Sequence, residues 1–288
     1  MKITFDNRKS MKIRYSGRSS DYITPSFGWG CLFKCTYCYM RRHKPSGLSI
    51  AKNTDQILQA IQDHINTLGR KKLNQTHSQF WTYDISCNED FALHAKHHEW
   101  RKVFDFFKYN PTAFGTLATK YVNKDLLDYN ANRKIRIRFS LMPQVFSDIL
   151  EPGTSKIIDR IKAINDFYKA GYQVHINFSP IICNQGCSDE YIKLFEQINE
   201  LVDDEIKSSI QCECIFLTHN TKMHEYNIQN GCSDSESILW QPERQESKTS
   251  SYGSVNIRYK RNLKSTYKAF FLYLLDKHLN WCNVRYIF

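Results

Sequence analysis

The stretch FGWGCLFKCTYCYMRRHKP, residues 27–45, sets Cys31, Cys35 and Cys38 in a C-x3-C-x2-C pattern, with Tyr37 and Tyr39 flanking the last cysteine. Three thiolates from one short loop suit three irons of a 4Fe-4S cluster and leave the fourth iron open to an outside ligand. A closed structural zinc site takes four protein ligands, and a three-ligand catalytic zinc normally includes histidine. The thiol count therefore favours the cluster, with a zinc knuckle as the alternative.

Outward from this loop, strand and helix alternate. Residues 22–27, 79–86, 112–119, 135–141, 173–182 and 210–219 are rich in β-branched and aromatic residues and read as strands. Helical patterns fall between them, over a stretch from Asn53 or Thr54 to about residue 68, then 100–109, 124–130, 154–170 and 189–202. Gly171 stands where a helix C-cap glycine belongs. About six alternations predict an α/β chain with a parallel sheet, a partial (β/α)6 TIM-type barrel. Residues 220–251 are polar and read as a long loop or lid. Beyond them the pattern predicts a hairpin or strand at 251–259, an amphipathic helix at 261–279 and a last strand at 283–288. The expected organisation is an N-terminal extension over 1–21, the barrel over 22–219, and a C-terminal lid, hairpin and helix over 220–288.

The 288 residues are 41% hydrophobic and 24% charged, enough to bury a core. The longest apolar run, AFFLYLL at 269–275, is too short to span a bilayer. The N-terminus carries charges without an apolar h-region, so the expectation is a cytoplasmic protein without a membrane partner. Net charge is +11 and the sequence pI about 9.1. With 14% aromatics to stack on bases, this balance favours nucleic acid as a partner over a merely solubilising basic surface. Arg133, Lys134, Arg136, Arg138, Arg258, Lys260, Arg261 and Lys264 are candidate phosphate contacts. Arg136 and Arg138 share one strand face, and pairing with acidic residues on a covering helix is an equal expectation for them.

Seven further cysteines are unlike a disulfide framework in a reducing compartment. Cys87 ends the second strand. Cys183 and Cys187 follow one strand, and Cys212 and Cys214 share a face of the next, so a second metal site competes with ordinary packing. His97, His98, His219 and His224 lack ligand spacing and read as solvated or structural.

The cysteine spacing, with an aromatic residue before the last cysteine, resembles the radical S-adenosylmethionine (SAM) superfamily. YDISCNEDFAL at 83–93 lacks that superfamily's Gly-Gly-Glu motif and is similar instead to the spore photoproduct lyase family. ATK at 118–120, FSLMP at 139–143, GTSKIIDRIKAINDFYKAGYQVHINFSPII at 153–182 and Tyr252-Gly253 extend the likeness over roughly 22–288. The resemblance implies a 4Fe-4S cluster on Cys31, Cys35 and Cys38, and SAM contacts at Lys120, Ser140 and Ser179. It implies hydrogen-atom donation by Cys87, with Tyr37 and Tyr39 returning the radical toward SAM. The implied substrate is a methylene-bridged thymine dimer in DNA or as a nucleotide, and the implied reductant is a flavodoxin or ferredoxin. Three positions depart from the family: Glu89 replaces a small polar residue, Met142 an asparagine and Ser251 an arginine. The region before the cysteines is also shorter. A radical SAM enzyme modifying a nucleobase is therefore one alternative, and a non-enzymatic zinc and nucleic-acid-binding module the other.

Overall fold

One sheet adds its strands in chain order: Tyr22–Ile23, Trp81–Asp84, Ala113–Thr119, Ile135–Leu141, Gln173–Ile181, Gln211–Phe216 and Asn283–Ile287, with Arg14–Tyr15 on the outer edge beside the first. This computed structural model describes all residues except 1, 17–20, 72–75, 185, 250–252 and 254. Tyr22–Ile23, Trp81–Asp84, Ala113–Thr119 and Ile135–Leu141 pair in parallel, and so do Gln173–Ile181, Gln211–Phe216 and Asn283–Ile287. Adding each strand on the same side is the winding of a β/α barrel; a doubly wound sheet reverses its order part-way. The alternation expected from the sequence is thus present.

The chain divides into two compact units. The first comprises Met1–Leu32, His43–Phe139 and Ala163–His175. Helix Thr54–Asn66 buries Ile57, Leu58, Ile61 and Ile65, and helix Trp100–Tyr109 buries Val103, Phe104 and Phe107. Each such burial contributes about 1.5–3 kcal/mol. Gly115 lets the second helix approach, since a Cβ there would lie 2.8 Å from both Phe107 and Ile135. Gly171 has φ +88°, the left-handed C-cap expected of it. A small sheet pairs Lys2–Asp6 in parallel and Gly28–Gly30 antiparallel with Gly47–Ala51.

The second unit comprises Phe33–Arg42, Ser140–Lys162 and Ile176–Phe288. Phe178, Tyr191, Phe195 and Phe271 form an edge-to-face aromatic core, with centroids 5.2–6.1 Å apart. Strand Val255–Tyr259 pairs antiparallel with Gln245–Thr249 and Thr218–His219. Helix Arg261–His278 follows, as predicted.

Two expectations fail. Residues 124–130 form only a 3-10 turn, Lys124–Leu126, where Asn123 accepts from the Asp125 amide at 3.0 Å. The chain then turns through Asn132 and Arg133, both at positive φ, into the next strand. Residues 220–251 are not a long loop: helices Thr221–Gln229 and Ser233–Leu239 and strand Gln245–Thr249 lie within it. Asn220 caps the first helix by accepting from the Met223 amide at 2.9 Å, and Gly231 at φ +71° separates the two. Their buried faces mix Met223, Ile238 and Leu239 with the polar Asn227, Ser235 and Glu236, so apolar periodicity is weak in them. Ser251 and Tyr252 lie outside the described residues.

Candidate active site

The cysteine loop runs from strand Gly28–Gly30 to helix Tyr39–His43. The Leu32 amide, beside Cys31, donates to His94 Nε2 at 3.2 Å. Within the second unit the Thr36 amide donates to the Leu150 carbonyl at 2.9 Å, and Asn227 Nδ2 donates to the Thr36 carbonyl at 2.7 Å. The Cys38 amide donates to the Cys35 carbonyl at 3.0 Å. These bonds fix a loop with no regular structure of its own. Cys35 is buried, and Cys31 and Cys38 are half-buried.

The Tyr37 hydroxyl donates to Glu151 Oε1. Glu151 Oε2 in turn faces Arg160 at 2.8 Å and accepts from Ser147 Oγ at 3.2 Å. Arg160 is fully buried and also donates to the Ser140 carbonyl at 2.8 Å, the Thr154 hydroxyl at 2.6 Å and the Ser155 carbonyl at 2.9 Å. Burial, reinforced by Glu151, pushes the Tyr37 phenol well above its ordinary range, so the proton stays on its oxygen. Tyr39 is exposed.

Cys87 lies just past strand Trp81–Asp84. Asp84 Oδ1 accepts from the Ser86 amide at 2.9 Å and hydroxyl at 3.0 Å, a local turn that ends the strand. The Ser86 hydroxyl accepts from the Ala118 amide at 3.1 Å. Arg14 Nη2 donates to the Cys87 sulfur at 2.9 Å. Burial, with Asp84 nearby, pushes the thiol up to about 11 despite that arginine.

Glu89 follows two residues later, with its side chain fully buried. Its Oε2 meets His94 Nδ1 at 3.0 Å and His98 Nε2 at 2.8 Å, while Oε1 is buried without a partner. Because His94 Nε2 accepts from the Leu32 amide, its proton sits on Nδ1 and points at Glu89. Burial raises the Glu89 pKa, but His98 and His94 more than reverse this and bring it to about 2. His98 is thus a structural partner, as expected, and Glu89 belongs to the interior.

Of the SAM candidates, Lys120 is half-buried, and its amide donates to Asp90 Oδ2 at 2.8 Å while Thr119 Oγ1 donates to Oδ1 at 2.7 Å. Asp90 also caps the short helix Phe91–His94, so one carboxylate ties the strand end holding Lys120 to the segment after Cys87. Ser140 is buried and accepts from Asn177 Nδ2 at 3.3 Å. Ser179 is half-buried near the end of Gln173–Ile181, and Met142 is buried.

Several phosphate-contact candidates are corrected. Every residue of Ile135–Leu141 is buried, as both faces of a parallel strand are covered. Arg138 pairs with Asp84 at 2.8 Å, on a strand rather than a covering helix. Arg136 donates to Gln173 at 2.6 Å and Thr76 at 3.1 Å, and Lys134 to the Asn110 carbonyl at 2.6 Å. Arg133 is exposed but stacks 3.8 Å over the Tyr168 ring and donates to the Tyr172 carbonyl. Arg258 pairs with Glu246 at 3.2 Å. Lys260 and Arg261 are exposed, and Lys264 is half-buried.

The remaining cysteines form two local groups. Cys183 and Cys187 interact with each other, the Cys183 thiol being pushed up and Cys187 brought to about 7 mainly by that thiol's hydrogen bond. Cys212 lies 4.0 Å from Cys214, and its other thiol neighbour is Cys282.

The family model described as spore photoproduct lyase matches residues 2–288. The chain belongs to the spore photoproduct lyase family. It is 28% identical over 212 residues to the spore photoproduct lyase of Bacillus subtilis (strain 168), covering 72% of this chain and 59% of that protein. It is 27% identical over 215 residues to that of Geobacillus sp. (strain Y412MC61), covering 72% and 60%. The chain thus spans about 60% of the length of these curated family members. Among solved structures, a cysteine-to-alanine variant of spore photoproduct lyase with dinucleoside spore photoproduct superposes with a TM-score of 0.86 at 20% identity, covering 99% of this chain and 82% of that one. A double variant with bound AdoMet and dinucleoside spore photoproduct gives 0.85, also at 20% identity, over the same 99% and 82%. The fold is therefore the α/β partial barrel of this family, as the sequence predicts. No helix among the described residues is long and apolar enough to cross a membrane.

Proposed function

We propose that this chain is a radical SAM lyase that cleaves the methylene bridge of spore photoproduct, a thymine dimer, in DNA. The observation that carries the reading is Cys87, a half-buried thiol kept protonated just past the second parallel strand with Arg14 on its sulfur. A hydrogen-atom donor must hold its hydrogen, and a thiol pushed up to about 11 does so at neutral pH.

The loop fits a 4Fe-4S cluster. Its donors are three thiols, and the Leu150 carbonyl and Asn227 hold the polypeptide between them. Cys31, Cys35 and Cys38 would hold the cluster, and Lys120, Ser140 and Ser179 would contact SAM. When bound and reduced, these groups supply a 5′-deoxyadenosyl radical that takes a hydrogen atom from the substrate. Cys87 then gives its hydrogen atom to the thymine methyl radical left after bridge cleavage. Tyr37, a phenol kept protonated beside Glu151, and Tyr39 would give a hydrogen atom to the resulting thiyl and take one back from 5′-deoxyadenosine, so that SAM can re-form. Of the basic candidates, Arg261 and Lys260, whose ammonium also donates to the Glu243 carbonyl at 2.9 Å, are exposed and would meet phosphates. A flavodoxin or ferredoxin would supply the electron, in the cytoplasm.

Glu89 does not favour nucleobase modification over repair: its carboxylate is held by two histidines in the interior, which supports a structural role. The test is anaerobic reconstitution, reduction, and turnover of a dinucleoside spore photoproduct with SAM. Many repaired dithymidines per 5′-deoxyadenosine support the lyase. 5′-Deoxyadenosine without repair rejects this substrate, and a colourless, zinc-loaded protein rejects the enzyme.

A further inference from the structure

His219, His224 and Glu236 come from three elements, strand Thr218–His219 and helices Thr221–Gln229 and Ser233–Leu239. One donor atom from each lies within 4.8 Å of the others. His219 Nε2 and His224 Nδ1 both address Glu236 Oε2, at 3.1 and 2.6 Å. Glu236 Oε1 accepts from Asn227, which also donates to the Thr36 carbonyl and accepts from Arg41 at 3.0 Å. The His224 ring stacks on Trp240 with centroids 4.2 Å apart, so its orientation is set. His219 and Glu236 are buried. Trp240 holds the His224 ring and Asn227 holds Glu236, so two of the three donors are set by neighbours outside the chelate.

We propose that His219, His224 and Glu236 form a binding site for one divalent transition ion of the zinc class, separate from the cysteine loop. Donors about 2.1 Å from a tetrahedral zinc are about 3.4 Å apart, so each contact to Glu236 needs to open by less than about 1 Å. The donor set is nitrogen and oxygen with no sulfur, which suits zinc, nickel or cobalt and not a soft monovalent ion. Water fills the remaining position. Each imidazole turns a ring nitrogen toward Glu236 Oε2, so a metal bound at that nitrogen leaves the ring hydrogen on the other one. That nitrogen in His219, Nδ1, is buried without a partner, so the site binds more weakly than a four-ligand structural zinc site. Asn227 connects occupancy to the cysteine loop, because one amide spans Glu236 and the Thr36 carbonyl.

The test uses the full chain with its iron–sulfur cluster installed, zinc added, and loosely bound metal removed by desalting. Zinc content and zinc-edge X-ray absorption are read together, because iron is silent at that edge. The expected result is one zinc per chain with ligands only at about 2.0–2.1 Å. In His224→Gln and Glu236→Gln that zinc is lost, and in Asn227→Ala affinity falls roughly 10- to 100-fold. His224 is part-exposed and its variant leaves Glu236 with His219 and Asn227, so loss of fold does not mimic loss of metal. Zinc retained through sulfur at about 2.3 Å, zinc unaffected by both ligand variants, or no zinc retained by the wild type would each overturn the site.

Discussion

The Arg14 guanidinium donates to the Cys87 sulfur at 2.9 Å. Arg14 lies in a two-residue edge strand near the N-terminus, 73 residues away in sequence, so the pairing Arg14↔Ile23 is what brings it there. The contact lowers the thiol pKa, yet burial and Asp84 still push Cys87 up to about 11. The arginine therefore orients the sulfur without taking away its hydrogen.

For Cys87→Ala, SAM cleavage persists and the product radical is quenched by other donors. Arg14→Met leaves SAM cleavage intact and lowers correctly quenched product roughly 10-fold, since misplacing a reacting atom by about 1 Å costs about 100-fold. The readout is the ratio of repaired dithymidine to side products. In the wild type that ratio is flat from about pH 7 to 9 and falls as the thiol ionises toward 11. A wild-type ratio in Arg14→Met would remove the arginine from this role.

Tyr37 and Glu151 separate chemistry from stability. Tyr37→Phe deletes the phenolic hydrogen but leaves Glu151 with Arg160 and Ser147, so it costs about 1 kcal/mol and raises 5′-deoxyadenosine released per repair. Glu151→Gln leaves the buried Arg160 charge without its carboxylate and costs about 3–5 kcal/mol. Denaturant titration and product counting on both variants should show opposite profiles. Equal stability losses would mean that Glu151 does not anchor Arg160.

The salt dependence of the proposed DNA binding tests the corrected basic surface. Arg138→Leu strips a partner from Asp84 inside the sheet, so it lowers the melting temperature and leaves the slope of log affinity against log salt unchanged. Lys260→Ala or Arg261→Ala lowers that slope by about 1 if the residue meets a phosphate. A reduced slope in Arg138→Leu would restore it as a DNA contact.

The sequence carries the parallel strands well because β-branched and aromatic residues recur at every second position, as Ile135, Ile137 and Phe139 show in the strand Ile135–Leu141. The same rule hides its arginines, whose partners Asp84, Gln173 and Thr76 lie on other segments. Cys31, Cys35 and Cys38 are legible since their spacing is local. His219 and His224 read as inert because the third donor, Glu236, is 12 residues beyond His224 on a separate short helix. A capping asparagine at 220 and a glycine at 231 are the signals that could have marked those helices. Glu89 reads as a substrate-facing departure because sequence does not show that His94 and His98 fold back onto it. An acid residue followed by histidines five and nine positions on is the only local hint.

That buried carboxylate gives a pH signature. Glu89 has an ordinary value of 4.5 and is brought to about 2 in the folded chain. The native state therefore binds fewer protons than the unfolded chain between those values, and stability falls as pH drops. The contribution is roughly 3 kcal/mol, fully present above about pH 5 and lost as pH falls through about 2. Glu89→Gln removes the charge and the pH dependence together. It should be less stable than wild type by roughly 3 kcal/mol at pH 7 and converge with it toward pH 2. Thermal unfolding of both proteins from pH 7 to pH 2 measures this, and a difference that stays constant over the range would mean that Glu89 is not ionised between its two histidines.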